Sequence, residues 1–307
     1  MSFSSDVKKE LTGLSKGARH CVIAEMAAIF GMCGAVSQDG EGLVMELRTE
    51  NPYARDRFSY LLRSAFGAGL GEDGRTVGGS AQQVRSIAGA LHLTDSKGAI
   101  ADRPELADGM LAMNSCCRRS FLRGAFIAGG SISDPEKSYH MEFVCSAPEK
   151  ARQLMAMTAF FDIDAKTVKR KKYSVVYIKE GDQIVDMLAV MGAGRSLMEL
   201  ENVRIIRGMR GTVNRKVNCE TANINKTVSA AVEQIDDILF LQDSYGLDRL
   251  PDDLRQVAYA RLEHPDATLK ELGESLDPPV GKSGVNHRMR KLKGYASYLR
   301  ENKEEDL

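Results

Sequence analysis

The chain has 307 residues, 43% of them apolar and 27% charged, with 8 prolines and no tryptophan; at roughly 100 to 200 residues per domain this allows two or three domains with real cores and excludes a mini-protein or a disordered chain. No run approaches the ~20 apolar residues of a membrane span, and Asp6, Lys8, Lys9 and Glu10 stand where a secretory signal needs an apolar stretch, so a cytoplasmic protein is expected. The 42 basic and 42 acidic residues cancel, which excludes indiscriminate attraction to polyanions but says nothing of local patches.

From the N-terminus, the first elements form half of an internal duplication at a constant offset of 96 residues. Phe30 matches Phe126, Gly34 matches Gly130, Ser37 matches Ser133, Met45 and Glu46 match Met141 and Glu142, and Pro52 matches Pro148. In each copy an apolar, small-residue helix (Ile23 to Met32; Phe121 to Ala128) precedes Gly and Ser, then an alternating run (Leu43 to Arg48; Tyr139 to Val144), then a helix opened by the proline. The first copy continues with a glycine-rich stretch, weak as a strand over Arg75 to Gly79, and a helix Gln82 to Leu91. The second continues with a hairpin, Ala165 to Lys169 and Tyr173 to Lys179, and a helix Gln183 to Met191. Each half therefore reads as helix, strand pair, helix, strand pair, helix, and the fold class as α+β.

Small residues recur on both first helices (Ala24, Ala27, Ala28, Gly31, Gly34; Gly124, Ala125, Ala128, Gly129, Gly130). A glycine inside a helix costs ~1 kcal/mol against alanine, so these helices are expected to cross closely on a pseudo-two-fold axis. The six cysteines (Cys21, Cys33, Cys116, Cys117, Cys145, Cys219) contain no CxxC pair and no metal-like cluster with histidine, so reduced, buried thiols and no bound metal are expected. Ser131, Ser133 and His140 lack an acid to orient the histidine and an oxyanion loop, Gly67 to Gly74 lacks the lysine of a phosphate loop, and no GxGxxG opens a βαβ unit. No enzyme activity and no cofactor are expected.

Basic charge gathers next. Residues 166 to 199 carry 7 basic and 4 acidic side chains, and 200 to 226 carry 6 and 2. At the hairpin tip, Lys169, Arg170, Lys171 and Lys172 read as a solvated run, with DNA contact as the alternative. In Glu201 to Lys226, Arg204, Arg207, Arg210, Arg215 and Lys216 lie among five asparagines; this is either a phosphate-tracking element or a linker wound against both domains, and in either case helical. Residues 227 to 277 are acidic, with 12 acids against 4 bases.

Residues 251 to 300 read as three helices. Leu254, Val257, Ala258 and Leu262 lie at helical spacing; Thr268 with Glu271 is a capping box; Asp277 to Gly281 breaks the chain, and Ser283 is placed as the N-cap of the third helix. Val285, Met289 and Leu292 form its inner face, and Asn286, Arg290 and Lys293 an outer one, with Lys282, His287 and Lys291 beside them. An apolar face docked on two acidic helices with a cationic face outward is what a recognition helix needs. Asn286 would pair with adenine and Arg290 with guanine, each contact worth ~1 to 3 kcal/mol of discrimination.

Leu122 to Gly130 resembles a degenerate LAGLIDADG motif of homing endonucleases, and Met26 to Gly34 its partner. In those nucleases the acid before the final glycine holds the metal; here Gly129 and Cys33 occupy that position, and neither is a ligand for a hard cation. Over nearly the whole chain, Met1 to Leu11, Phe121 to Ser131 with Asp134 to His140, Val217 to Asn223 and Lys282 to Arg288 resemble the WhiA family of Gram-positive bacterial regulators. The resemblance implies a duplicated LAGLIDADG-like αββαββα pseudo-dimer, catalytically inactive, joined to an all-α helix-turn-helix domain. It implies halves at 1–115 and 116–200, a linker at 201–246 and the DNA-binding domain at 247–307. It further implies a nucleoid-associated regulator of sporulation or cell division that binds double-stranded DNA, with a WhiB-like regulator or RNA polymerase as partner. A residual endonuclease and a scaffold whose helix-turn-helix binds a protein are the alternatives.

Overall fold

The computed structural model describes residues 2–40, 42–101 and 105–304, the last three without their side chains. Met1 of the opening motif and the end of the 247–307 segment lie outside them. By contact the chain divides into two units, Met1–Gly208 and Met209–Leu307.

The first unit opens with α1 (Phe3–Thr12), capped by the Ser2 hydroxyl, which accepts from the Ser5 amide, and buried through Phe3, Val7 and Leu11 at i, i+4, i+8. The first copy follows as α2 (Arg19–Cys33), β1 (Gly34–Asp39), β2 (Gly42–Leu47), α3 (Pro52–Phe66) and α4 (Ala81–Ala90). The second is α5 (Ser115–Gly129), β3 (Gly130–Ile132), β4 (Met141–Cys145), α6 (Pro148–Ala159), β5 (Lys166–Arg170), β6 (Tyr173–Ile178) and α7 (Gly181–Met191). Pro52 and Pro148 both occupy the first helical turn, where a missing N–H costs nothing.

The architecture is α+β and duplicated, but its copies differ. The second builds the antiparallel sheet β3-β4-β6-β5, with Met141, Phe143 and Cys145 of β4 facing the core. In the first, β1 pairs β2 from Gly34↔Leu47 to Asp39↔Gly42, and the second strand pair is reduced to the isolated bridges Glu46↔Thr76 and Leu70↔Val77. The glycines explain the loss: Gly74 and Gly79 hold φ of +64° and +137°, and the Asp73 carboxylate accepts the Thr76 hydroxyl and the Arg75 and Thr76 amides in a turn, which together hold its pKa down to about 2.

α2 and α5 make the most extensive contact between any two described helices. A Cβ at Gly124 would lie 2.4 Å from the Glu25 carbonyl oxygen, so the backbones meet there. Gly31, grouped with these by its spacing, packs elsewhere, its virtual Cβ 2.0 Å from the Leu106 carbonyl oxygen. Gly34 and Gly130 each lie under the ring of the phenylalanine four residues earlier, Phe30 and Phe126, so the duplication is conserved atom against atom. Inside the pair, Glu25 is buried and receives Arg57 Nε at 2.6 Å and Arg123 Nη1 at 3.1 Å.

The start of this helix pair corrects one sequence expectation. His20 and Cys21 in the first turn of α2 meet Cys116 and Cys117 in the first turn of α5, with one ligand-type atom from each within 4.8 Å of all the others. Sequence spacing did not expose this histidine-cysteine cluster because its halves are ninety-six residues apart.

α8 (Gly194–Ser244) is one helix of 51 residues, and the segment read as a helical linker lies within it. In the second unit its C-terminal part contributes Ile238 and Leu241 to a core with Leu247, Leu250, Leu254, Val257 and Ala258. The same core takes Leu272 and Leu276, and Val285, Met289, Leu292 and Ala296. The three helices are α9 (Asp252–Glu263), α10 (Leu269–Glu274) and α11 (Lys282–Glu304). Thr268 and Glu271 form the capping box in both directions. Ser283 is not the cap of α11: the helix starts at Lys282 and the Val285 amide donates to the Gly281 carbonyl at 3.1 Å, so the chain turns in two residues earlier.

Candidate nucleic-acid interface

The turn before α11 is set by close backbone packing. The Val280 amide donates to the Gly273 carbonyl at 2.9 Å, and a Cβ on Gly273 would stand 1.9 Å from the Val280 oxygen. Buried Arg261 of α9 donates to the carbonyls of Pro265 (3.2 Å) and Ala267 (2.6 Å) and to Gln234 of α8 (3.1 Å). These bonds fix the α9–α10 turn, and burial holds the guanidinium below its ordinary pKa.

α11 docks through Val285, Met289, Leu292 and Ala296. At 100° per residue the opposite side of the helix is Ser283, His287, Arg290, Lys291, Gly294 and Tyr298, and all six are exposed. This differs from the expected face. Asn286 is half-buried toward the flank. Lys293 lies beside it on that flank, where its Nζ pairs with Glu233 of α8, and the carboxylate raises its pKa above the ordinary lysine value.

Further along, Arg300 Nη1 reaches Asp237 at 2.6 Å and its guanidinium covers the Phe240 ring, while Arg288 Nε lies 3.9 Å from Asp253 of α9. The acidic block thus absorbs the cations on the docked flanks. Lys282, Arg290 and Lys291 are exposed and carry no ion pair among the described residues. Tyr298 continues the outward stripe; the periodicity i, i+4, i+7, i+11 from His287 would have found it.

The other cationic candidates belong to other elements. In the hairpin, Lys169 and Arg170 are in strand β5, and Lys171 and Lys172 form the turn, with Lys171 at φ +55°. Arg170 Nη1 is 3.4 Å from Glu142, and Lys172 Nζ sits over the Tyr173 ring. Because β5 is the exposed edge of the sheet, its lysines also serve to block edge-to-edge pairing.

On α8, Arg204 is engaged by Asp182 and Glu201. Arg207 donates to the Pro135 carbonyl at 2.9 Å and covers Tyr139, so it holds the helix to its own unit. Arg215 bonds Thr212; Arg210 and Lys216 are exposed without an ion pair among the described residues.

At the C-terminal ends of the crossing helices, where metal-binding nucleases carry acids, the chemistry is different. A Cβ on Gly129 would meet the Met32 methyl at 2.1 Å. The Cys33 thiol donates to the Ile29 carbonyl at 3.2 Å, and burial raises its pKa to about 11. Lys150 Nζ donates to the Gly31 carbonyl at 2.8 Å, setting an amine beside the axis. Neither Gly129 nor Cys33 carries the carboxylate oxygen that a hard divalent cation prefers.

A duplicated LAGLIDADG-like body joined to a three-helix unit with a solvent-facing basic stripe defines a helix-turn-helix protein of the regulator type. Residues 213–296 match the family model described as the WhiA C-terminal HTH domain, and residues 118–210 match the WhiA LAGLIDADG-like domain. The chain belongs to the WhiA family. It is 46% identical over 314 residues to the probable cell division protein WhiA of Lachnoclostridium phytofermentans, covering 98% of this chain and 100% of that one. It is 47% identical over 312 residues to that of Lachnospira eligens, covering 98% of each. A crystal structure of full-length DUF199/WhiA from Thermatoga maritima matches with a TM-score of 0.57 at 26% identity, over 97% of this chain and 99% of that one. Among the described residues no helix is long and apolar enough to cross a membrane.

Proposed function

We propose that this protein is a sequence-specific DNA-binding transcription regulator acting in cell division and sporulation, and that its LAGLIDADG-like domain is not a nuclease. The observation that carries the reading is the outward side of α11. Arg290 and Lys291 stand there, and Lys282 is exposed in the first turn, all three without ion pairs among the described residues, while Lys293 and Arg300 are paired to α8. Such a division keeps charge for phosphates and base edges on one face. In this reading Ser283, His287 and Arg290 face the major groove, Asn286 contacts its rim, and Lys282 and Lys291 meet phosphates. Lys169, Lys171, Arg210 and Lys216 remain as accessory phosphate contacts.

The absence of nuclease chemistry is supported by Gly129, the protonated Cys33 and the Lys150 amine at the axis. A WhiB-like regulator or RNA polymerase is the protein partner in this proposal, and the nucleoid its location.

The test is a gel shift with promoter fragments across a salt series, alongside plasmid nicking with magnesium or manganese. Sequence-dependent binding with a steep salt slope, lost in Arg290→Ala, is the expected result. Absence of binding at every salt would leave the protein-docking scaffold, and metal-dependent nicking that survives purification would refute the inactive assignment.

A further inference from the structure

The histidine and cysteines at the start of α2 and α5 are not among the residues to which the proposed DNA binding is assigned. We propose that His20, Cys21, Cys116 and Cys117 bind one zinc ion on the pseudo-two-fold axis, as a closed structural site of three thiolates and one imidazole.

The duplication itself places the ligands. The offset of 96 that relates the two copies pairs His20 with Cys116 and Cys21 with Cys117, so each helix offers the same two adjacent positions of its first turn. His20 Nδ1 lies 3.1 Å from Cys117 Sγ and 3.3 Å from Cys21 Sγ, and the four ligand atoms fall within 4.8 Å of one another. Tetrahedral zinc with Zn–S of about 2.3 Å has an edge of about 3.8 Å between sulfurs, so small side-chain adjustments close the site. Three soft sulfurs with a nitrogen select zinc over magnesium or calcium.

The surroundings favour an ion at this place. Cys21 and Cys117 are buried against Ala24. His20 and Cys116 are exposed, which gives the ion an entry path.

The test uses the untagged full-length protein, because a polyhistidine tag would itself carry zinc. After gel filtration without chelator, elemental analysis is expected to find one zinc per chain. Cys116→Ser should weaken zinc binding by more than the roughly 10–100-fold that loss of an outer partner costs, with the circular dichroism unchanged because Cys116 is exposed. His20→Ala should do the same, and Cys219→Ser should keep the metal. Cobalt reconstitution should give a thiolate charge-transfer band that loses about a third of its intensity in Cys116→Ser. Zinc content equal in wild type and Cys116→Ser, iron in place of zinc, or a disulfide within the cluster in protein purified without oxygen would overturn the proposal.

Discussion

A Cβ atom on Gly124 of α5 would stand 2.4 Å from the carbonyl oxygen of Glu25 on α2. Gly124→Ala should therefore push the two helices apart and destabilise the first unit by about 1–3 kcal/mol. The control is Gly89→Ala in α4, where a Cβ meets nothing within 4 Å and the better helix former should be neutral or gain up to ~1 kcal/mol. Urea denaturation of the two variants side by side separates them; equal midpoints would show that the contact does not limit the crossing.

Glu25 is the single carboxylate between Arg57 and Arg123, at 2.6 Å and 3.1 Å, and is only 2% exposed. Glu25→Gln leaves both guanidiniums without countercharge and should cost about 3–5 kcal/mol. Replacing all three by leucine and methionine should recover much of that loss, since the desolvation cost disappears with the charges. Thermal unfolding reads both outcomes.

In DNA binding, Arg290→Ala should weaken specific affinity by roughly tenfold or more and lower the salt slope by about one. Lys293→Ala should do much less, because that ammonium is already held by Glu233. The companion is Glu233→Ala: releasing Lys293 should steepen the salt slope. A Lys293→Ala defect as large as that of Arg290→Ala would place the reading face on the flank instead.

The capping box of α10 links the DNA-binding unit to pH. Bonds from the Thr268 amide and side chain hold the Glu271 carboxyl below its ordinary value of 4.5. A carboxyl lowered in the folded state contributes fully above that ordinary value, and its contribution fades as pH falls through the lower, folded one. Acid titration of the melting temperature should show this loss in wild type and a flatter profile in Glu271→Gln. Thr268→Ala should cost about 1 kcal/mol at neutral pH.

What the sequence made readable was local or repeated. The capping box needs only Thr268 and Glu271, three positions apart, and the duplication shows because Gly34 and Gly130 answer to the same ring four residues back. Interactions across long separations stayed hidden. Lys293 looks free until Glu233, sixty residues earlier, is folded against it, and the cluster of His20 and Cys21 with Cys116 and Cys117 falls on the duplication's offset of 96 but on none of the short metal-ligand spacings. Helix α1 is defined by what covers Phe3, Val7 and Leu11, whereas the 51 residues of α8 do carry an apolar stripe, Met209, Val213, Val217, Ile224, Val228 and Val232 at spacings of four and seven, which the surrounding basic residues and asparagines obscure. The start of α11 at Lys282 lies two positions before the one that Ser283 suggests, because serine is a stronger cap signal than Gly281, whose carbonyl accepts the first bond.

The offset that pairs the two copies sets Glu25 opposite Phe121. A homodimer of identical halves would have to carry the same residue at both places, and every charge introduced at its axis would arrive twice. Fusion into one chain lifted that restriction. One half could keep an acid and the other an aromatic ring, and the lone acid could then gather an arginine from each half, Arg57 and Arg123. The asymmetry at the centre of this fold is thus available only to a covalently joined ancestor pair, and it binds the halves by a charge that neither could have kept alone.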